Sequence, residues 1–555
     1  MRTIMFAAIL LLNLQSSGQA PVVAIDSINV NNINASVLSN GGMWWNGDTV
    51  NPGPRCFFPN GSRKTVGYAA ALWFSGYDPA GMLHASAQTY RQRGDDYWPG
   101  PLLNGDSVDE ATSQNWAKIW RISRGDIECF RRQDMHTPAN TPFTILTWPA
   151  RDNLYAAGRN NAPLSILTDM APFVDLNNNG LYEPLLGEYP DIKGDLALWW
   201  VYNDHGPLHS ETGGLPVGIE VRSIAWAYSV GTLLDNVVYY DYGIINRSPH
   251  TYSRFRIAQW ADADLGYPGD DYVGFDSARR MGITYNGSPD DGAQAGHPPG
   301  SYGTDMPMSG VTMILLPGDA AAHPVPAGSF TAYYNDGSII GNPINDSEYN
   351  GYMRSKCRNG QSIFAGMPDT SNCARHDTNR FYMLAGDLGL SGQCTQCFWH
   401  DHPADMRFVI TTGDMPFAPG ERKHVVMAQV VTNVHAGNSC PTGTYDSVRA
   451  VADTAAANYF NPPFLAAKSC LEPGGVVPGI SVYPNPAGNE ITVESTVNIT
   501  GESLSVWNVI GQRMQVAYTR AGSKITIDLG NVAAGFYLLN YRDDAVRAVV
   551  KFIKL

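Results

Sequence analysis

Charge is scarce in this chain. Only 16% of its 555 residues are Asp, Glu, Lys or Arg, a balance that argues against long charged helices. After residue 20 no apolar run reaches the roughly 18 residues of a membrane-spanning helix. A GxSxG elbow, a Walker loop and a dinucleotide fingerprint are missing from any convincing context, which disfavours phosphoryl transfer and redox cofactors. Neither an internal repeat nor a low-complexity tract is evident. Basic residues are in the minority, 37 against 51 acids, for a formal charge of −14. A surface of that sign repels phosphate backbones, so nucleic acid is excluded as a partner and divalent cations are favoured.

What is plentiful points to strands and turns. Hydrophobic residues make up 44%, and there are 56 Gly and 37 Pro, so the chain is expected to be mainly β with several domains. Its start, MRTIMFAAILLLNLQSSGQA, has one early Arg, an apolar run over Ile4–Leu12 and small residues ending at Ala20. That is the pattern of a cleaved signal peptide over residues 1–20. The eight cysteines (56, 129, 357, 373, 394, 397, 440 and 470) all follow it, an even number that fits an oxidising compartment and up to four disulfides. Pairing is not readable from sequence; the local pairs Cys357 with Cys373 and Cys440 with Cys470 are the working expectation.

A break falls at residues 471–480, where EPGGVVPGI supplies linker prolines and glycines. The short alternating runs after it suit a small Ig-like β-sandwich over 481–555. Here seven Lys or Arg stand against six Asp or Glu from Val476 on, so the acidic excess lies in the passenger, residues 21–470. SVYPNPAGNEITVES, VWNVIGQRM, LGNVAAGFYLLNY and the ending VVKFIKL, in that order and spacing, resemble the type A sorting domain of type IX secretion cargo. The resemblance implies passage across the outer membrane of a Gram-negative bacterium. It implies as partners the type IX machinery and a sortase-like peptidase that leaves the cargo on surface lipopolysaccharide or free. It places the sorting signal at Tyr483, Pro484, Asn485, Pro486, Gly535, Tyr537, Lys551 and Lys554.

The passenger is expected to be a large multi-strand β-sandwich with few helices. ALWFSGYDPAGMLHASAQTYRQRGDDYWPGPL, ALWWVYNDHG and AQWADADLGYPGDDYVGFD resemble a recurrent type of large type IX cargo without a characterised function, so no activity is implied. DNVVYYDYGIINRS and TYSRFRIAQW read as neighbouring strands, and RFVITTG with KHVVMAQVVTNV as a later pair. One helix stands out, TYDSVRAVADTAAANYF, with Val448, Val451, Ala452, Ala455 and Tyr459 on one face and Asp446 or Ser447 as its cap.

Two acidic segments carry the chemical expectation. In DLNNNGLYEPLLGEYPDIKGD, Asp175, Asn177, Asn179 and Gly180 match positions 1, 3, 5 and 6 of a calcium loop, with the Leu181 carbonyl and Glu183 further on. The usual closing Glu is replaced by Leu186, so Glu188, Asp191 or Asp195 has to complete the shell; the bland reading is a solvated Asn/Gly turn. In ADADLGYPGDDYVGFD, Asp262, Asp264, Asp270, Asp271 and Asp276 would repel one another unless a cation neutralised them. Calcium is therefore the expected structural cofactor. A catalytic carboxylate pair on a polysaccharide is the competing reading, with Trp44, Trp45, Trp73, Trp199, Trp200, Trp226 and Trp260 as sugar platforms or, more simply, core. HGPLHSE and CTQCFWHDH hold zinc-type ligands without the HExxH order. The overall expectation is a surface-displayed binding, adhesion or structural component, with a surface glycan as a possible ligand and a secreted hydrolase as the alternative.

Overall fold

The computed structural model describes residues 20–102, 107–138, 140–319, 327–363, 381–388, 390–432, 439–440, 444–463, 465, 480–485, 487–495, 504–508, 513–521, 524–542 and 547–555. The expected signal peptide, apart from Ala20, and nearly all of the expected linker lie outside them. The chain is mainly β, built from antiparallel sheets.

Two large sheets organise the passenger. One has nine strands in the order Asp271–Asp276, Met281–Asn286, Ser309–Leu315, Arg422–Val431, Val237–Asn246, Ile219–Ala227, Leu196–Asn203 and Trp98–Pro99, with Trp120–Ser123 also pairing Leu196–Asn203. The other has six, in the order Ser329–Tyr334, Met406–Thr411, Tyr252–Asp262, Ala69–Tyr77 and Leu83–Ser86, with Met415–Phe417 also on Tyr252–Asp262. A core drawn from both sheets, including Leu72, Phe74, Trp200, Tyr242, Phe255 and Phe408, lies between them. The outer faces are covered as well. Trp199, Trp226 and Tyr239 pack under the helix Asp446–Phe460 and the segment before residue 190, and Trp73, Trp260 and Tyr333 pack under the helix Asp346–Tyr352.

Double-sided burial explains the sequence pattern. Every residue of Leu196–Asn203 is buried, so the strand reads as one apolar run rather than an alternation. All seven tryptophans weighed as sugar platforms are at most 2% exposed, and their aromatic surface is core.

Strand partnership departs from expectation. Val237–Asn246 and Tyr252–Asp262 are consecutive but lie in different sheets, as do Met406–Thr411 and Arg422–Val431. Val237–Asn246 pairs instead with Arg422–Val431, and Tyr252–Asp262 with Met406–Thr411. Short connections at the sandwich edge carry the chain from one sheet to the other, and local sequence holds no record of which sheet a doubly buried strand joins.

The expected helix forms over Asp446–Phe460 with Val448, Val451, Ala452 and Ala455 buried. Neither proposed cap acts: Tyr445 is the N-cap, without a side-chain bond, and the buried Ser447 hydroxyl has no partner. Cysteine pairing also differs. Cys440 is bonded to Cys397, 43 residues away, which excludes Cys440 with Cys470; Cys129 and Cys394 are disulfide-bonded too. Cys357 is buried, while Cys373 and Cys470 lie outside the described residues. Closing a loop of that size restricts the unfolded chain by about 4 kcal/mol on the entropic account.

The tail forms a four-stranded and a three-stranded sheet around Ile491, Val493, Val506, Ile527, Leu539 and Phe552.

Candidate metal centre

Where the chain leaves the six-stranded sheet at Asp262 and enters the nine-stranded sheet at Asp271, the crossing loop carries the second acidic segment. In the pairing register Asp262 stands opposite Arg407, and its Oδ2 accepts from that guanidinium at 2.8 Å. Arg407 also donates to Asp405, at 2.9 Å. Asp264 completes the group: one carboxylate oxygen each from Asp262, Asp264 and Asp405 lie within 4.8 Å of one another. Ligands 2.3–2.6 Å from a calcium ion are at most about 5 Å apart, so one ion can touch all three.

The electrostatics are unbalanced. Three carboxylates face one arginine, leaving two formal negative charges. Burial raises the Asp264 carboxyl well above the usual range, with Asp262 and Asp405 adding to it; burial raises Asp262 as well, against the pull of Arg407. Asp262 is 1% exposed and no amide, hydroxyl or cationic donor reaches its Oδ1, its side-chain neighbour there being the Asp264 carboxyl. A buried carboxylate oxygen left unpaired costs roughly 1–3 kcal/mol or more, and a cation supplies the missing partner. Asp264 and Asp405 are only partly buried, which leaves the group open to solvent on one side.

A second trio continues the nest. Asp271 accepts the Leu265 N–H at 2.9 Å, Asp270 accepts that of Gly292 at 2.9 Å, and Asp291 accepts that of Tyr267 at 2.9 Å. Each of the first two leaves its Oδ1 buried and unpartnered. Burial pushes Asp270 up to about 7, and its neighbour Asp291 adds to the shift; Asp271 is raised by burial and by Asp264, Asp270 and Asp291.

Asp276 is apart from this nest, at the far end of the strand Asp271–Asp276. It accepts from Arg449 at 2.7 Å and Arg279 at 3.0 Å. Burial alone would raise it, and the two arginines more than offset that, so its pKa is lowered. An acid so paired has no need of a cation.

The first segment folds into one turn that brings its residues together. Asp175 accepts the N–H groups of Gly180 at 2.8 Å and Asn179 at 3.3 Å, which lowers its pKa through those bonds. The Asn179 side-chain Oδ1 accepts from Leu181 N–H, and Glu183 accepts from the side-chain amides of Asn177 and Asn179. Glu188 is fully buried and closes the turn by accepting from the N–H groups of Leu176 and Glu183. Asp195 is drawn away to Arg124 at 2.6 Å, and Asp191 is exposed. Every acid placed in this turn already has protein donors.

The zinc-type segments do not assemble. Glu211 is fully buried and accepts from Thr89, Gly94 N–H and Tyr349. His209 faces Ser86 at 3.1 Å and Asp96 at 3.4 Å, an order of groups like that of a hydrolytic triad. The Ser86 proton, however, goes to the fully buried Asp204 at 2.5 Å, and Ser86 is 1% exposed, so this is a structural knot. Among the described residues the only metal-capable group of three His, Cys, Asp or Glu is the trio Asp262, Asp264 and Asp405. Asp405, Arg407 and Asp291 escaped sequence reading. The available signal was DMR before an apolar strand, which sets an acid and a base on one face.

In the tail, Asn485 accepts the Ile553 N–H at 2.9 Å and Ala487 bridges to Lys554, fastening the motif after Tyr483 and Pro484 to the last strand. Tyr537 is buried, stacks on Phe552 and donates to the Ala533 carbonyl. Gly535 and Lys551 lie in the last two strands, Lys554 is buried, and Pro486 lies outside the described residues.

That geometry has a counterpart among known families. Residues 481–555 match the family model of the secretion system C-terminal sorting domain. The sorting tail marks an exported protein, secreted or held at the cell surface, whose partner is the secretion machinery. The passenger receives no such support: no curated protein matches the chain. Among solved structures, a polysaccharide lyase aligns over 60% of this chain and 34% of its own, at 9% identity and a TM-score of 0.18. The chain thus spans about a third of that protein's length, and a likeness this slight carries no argument. No helix among the described residues is long and apolar enough to cross a membrane.

Proposed function

We propose that this protein is a type IX cargo displayed at or released from the cell surface, where its passenger serves as a calcium-stabilised, non-catalytic binding or structural component. The observation that carries the reading is the set of three buried carboxylate oxygens, on Asp262, Asp270 and Asp271, that no amide, hydroxyl or cationic donor reaches, in the crossing between the two sheets, where their nearest groups are other acids. Asp262, Asp264 and Asp405 would hold the ion, with Asp270, Asp271 and Asp291 as the neighbouring acids. Calcium supplies positive charge there and no reaction step. What the chain itself does is orient the acids: Arg407 fixes Asp262 and Asp405, and the N–H groups of Leu265, Gly292 and Tyr267 aim the others.

A structural role fits the placement, because an ion at this crossing ties the end of one sheet to the start of the next. The hydrolase alternative asks for two facing carboxylates in a cleft. Burial raises several of these acids, yet none of them lines the 470 Å³ recess on the nine-stranded sheet, whose own acids are the exposed Asp169 and Asp191 and the His424-paired Asp241. The test is a thermal melt of the full chain in 2 mM calcium and in excess chelator. Extracellular sites bind calcium at about 0.1–1 mM, so about 1 mM ion stabilises by roughly 0.4–1.4 kcal/mol per site. The expected result is a rise in Tm of a few degrees with calcium; identical melts would sink the reading.

A further inference from the structure

The cover over the outer face of the nine-stranded sheet leaves one recess. On Ile219–Ala227 the residues Arg222, Ile224 and Trp226 alternate onto that face, opposite Gly243, Asp241 and Tyr239 of the next strand. Around Trp226 and Tyr239 the helix Asp446–Phe460 closes it: Tyr239 donates to the Ala455 carbonyl at 3.0 Å, and Trp226 packs 6.4 Å from Tyr459. Toward Arg222 the cover stops. There the face forms a recess of about 470 Å³, inside the range of small-ligand sites.

Its lining is formally balanced, three cations against three acids, where the chain as a whole carries −14. Lys193, Arg222, Arg422 and His424 line it together with Asp241. His424 and Asp241 satisfy each other at 2.6 Å. Arg222 is anchored through Nε to the fully buried Glu220 at 2.7 Å, an acid it shares with Arg247. Among the described residues neither Arg422 nor Lys193 has a carboxylate at ion-pair distance. Lys193 rests 4.2 Å from the Tyr459 ring centre and 5.1 Å from that of Trp226. Two further acids of the lining, Asp169 and Asp191, stand exposed, and Asp169 faces Arg151 at 3.4 Å.

The placement of Arg422 is built into the sheet. Gly243 lies between Arg222 and His424 in the register, and a Cβ on it would meet Arg422 Nη2 at 2.4 Å and Cζ at 2.7 Å. The guanidinium therefore lies over a bare backbone, at the position that faces Arg222 across the register, and both arginines line the recess. Arg222 is held by Glu220 while Arg422 has no carboxylate of its own among the described residues, and planar two-oxygen anions match the donors of a guanidinium.

We propose that this recess binds an acidic saccharide, with a sugar carboxylate or sulfate seated between Arg222 and Arg422 and the sugar hydroxyls meeting Lys193 and the Asp241–His424 pair. The volume exceeds what a lone anion fills, and the mixed acid, imidazole and ammonium groups beside the arginines suit hydroxyls. The site lies on a different sheet face from the metal centre and does not depend on it.

Isothermal titration of the full chain tests this, using oligogalacturonate for the carboxylate, a heparin oligosaccharide for the sulfate, a dextran oligosaccharide as the neutral sugar and inorganic phosphate as the bare anion. One or both acidic sugars are expected to bind, more weakly as salt rises, with dextran and phosphate at least tenfold weaker. Arg422→Gln and Gly243→Ala, the second keeping the charge and displacing it, are each expected to weaken binding about tenfold or more, the worth of one charge-assisted contact. Both variants should melt like the parent. Chelator should leave the affinity unchanged, which separates this proposal from the calcium reading. Equal binding of dextran, phosphate binding as tight as the sugars, no binding of either acidic sugar, or full affinity in both variants would overturn it.

Discussion

The two acidic segments of the passenger look alike in sequence and differ in what their oxygens touch. Around Asp175 the acids accept backbone N–H groups and side-chain amides within a few residues, so the turn is complete as it stands. Around Asp262 and Asp271 the acids come from separated strands, are buried against one another and keep oxygens without partners. On the proposed reading, acid density is a poor guide to a cation site. The deciding quantity is whether the fold supplies donors for the charge it buries.

That contrast can be broken by experiment. The largest effect is expected from Arg407→Met, which strips the buried acids of their one cation: a loss of about 3–5 kcal/mol in chelator, partly restored by calcium, read from denaturant melts. Loss of the same size in both conditions would detach the arginine from any ion. Next, Asp264→Asn should abolish most of the calcium-induced rise in Tm and leave the melt in chelator unchanged or slightly higher, since it relieves repulsion with Asp262 and Asp405; an equal drop in both would count against the site.

The third test is pH. Asp262, Asp264, Asp270 and Asp271 are raised by burial in the fold, so between about pH 4, the unfolded value, and the value of about 7 to which Asp270 is pushed the native state holds more protons than the unfolded one. Stability in chelator should fall as pH rises through that window. Calcium needs the ionised acids, so its stabilisation should be greater at pH 7.5 than at pH 5; a calcium shift independent of pH would contradict this. The smallest effect belongs to the other segment. Asp175→Ala should lower Tm slightly and by the same amount with and without calcium, and a calcium-dependent loss would erase the distinction between the two segments.

Much of the fold was legible because it rests on local signals. Strand-forming runs, the amphipathic helix at Val448–Ala455 and the tail with its ordered motifs announce themselves through composition and spacing. Strand pairing was not legible. Val237–Asn246 and the Ile257–Asp262 part of Tyr252–Asp262 are buried on both faces and carry the same chemistry, so nothing local says that they belong to opposite sheets. The candidate metal centre was half legible: Asp262, Asp264, Asp270 and Asp271 stand within one short stretch, while Asp405 and Arg407 arrive from more than a hundred residues away.

The sequence by itself determined that the protein is mainly β, acidic, rich in turns and equipped with a sorting tail, because these follow from residue type and short-range order. Only the tertiary structure decided which acids share a space, which are already satisfied, that Cys397 meets Cys440, and that Arg422 lies over Gly243, opposite Arg222 in the register. Each of those depends on strand register across long separations. Register is set by how whole faces pack, a property no short segment carries.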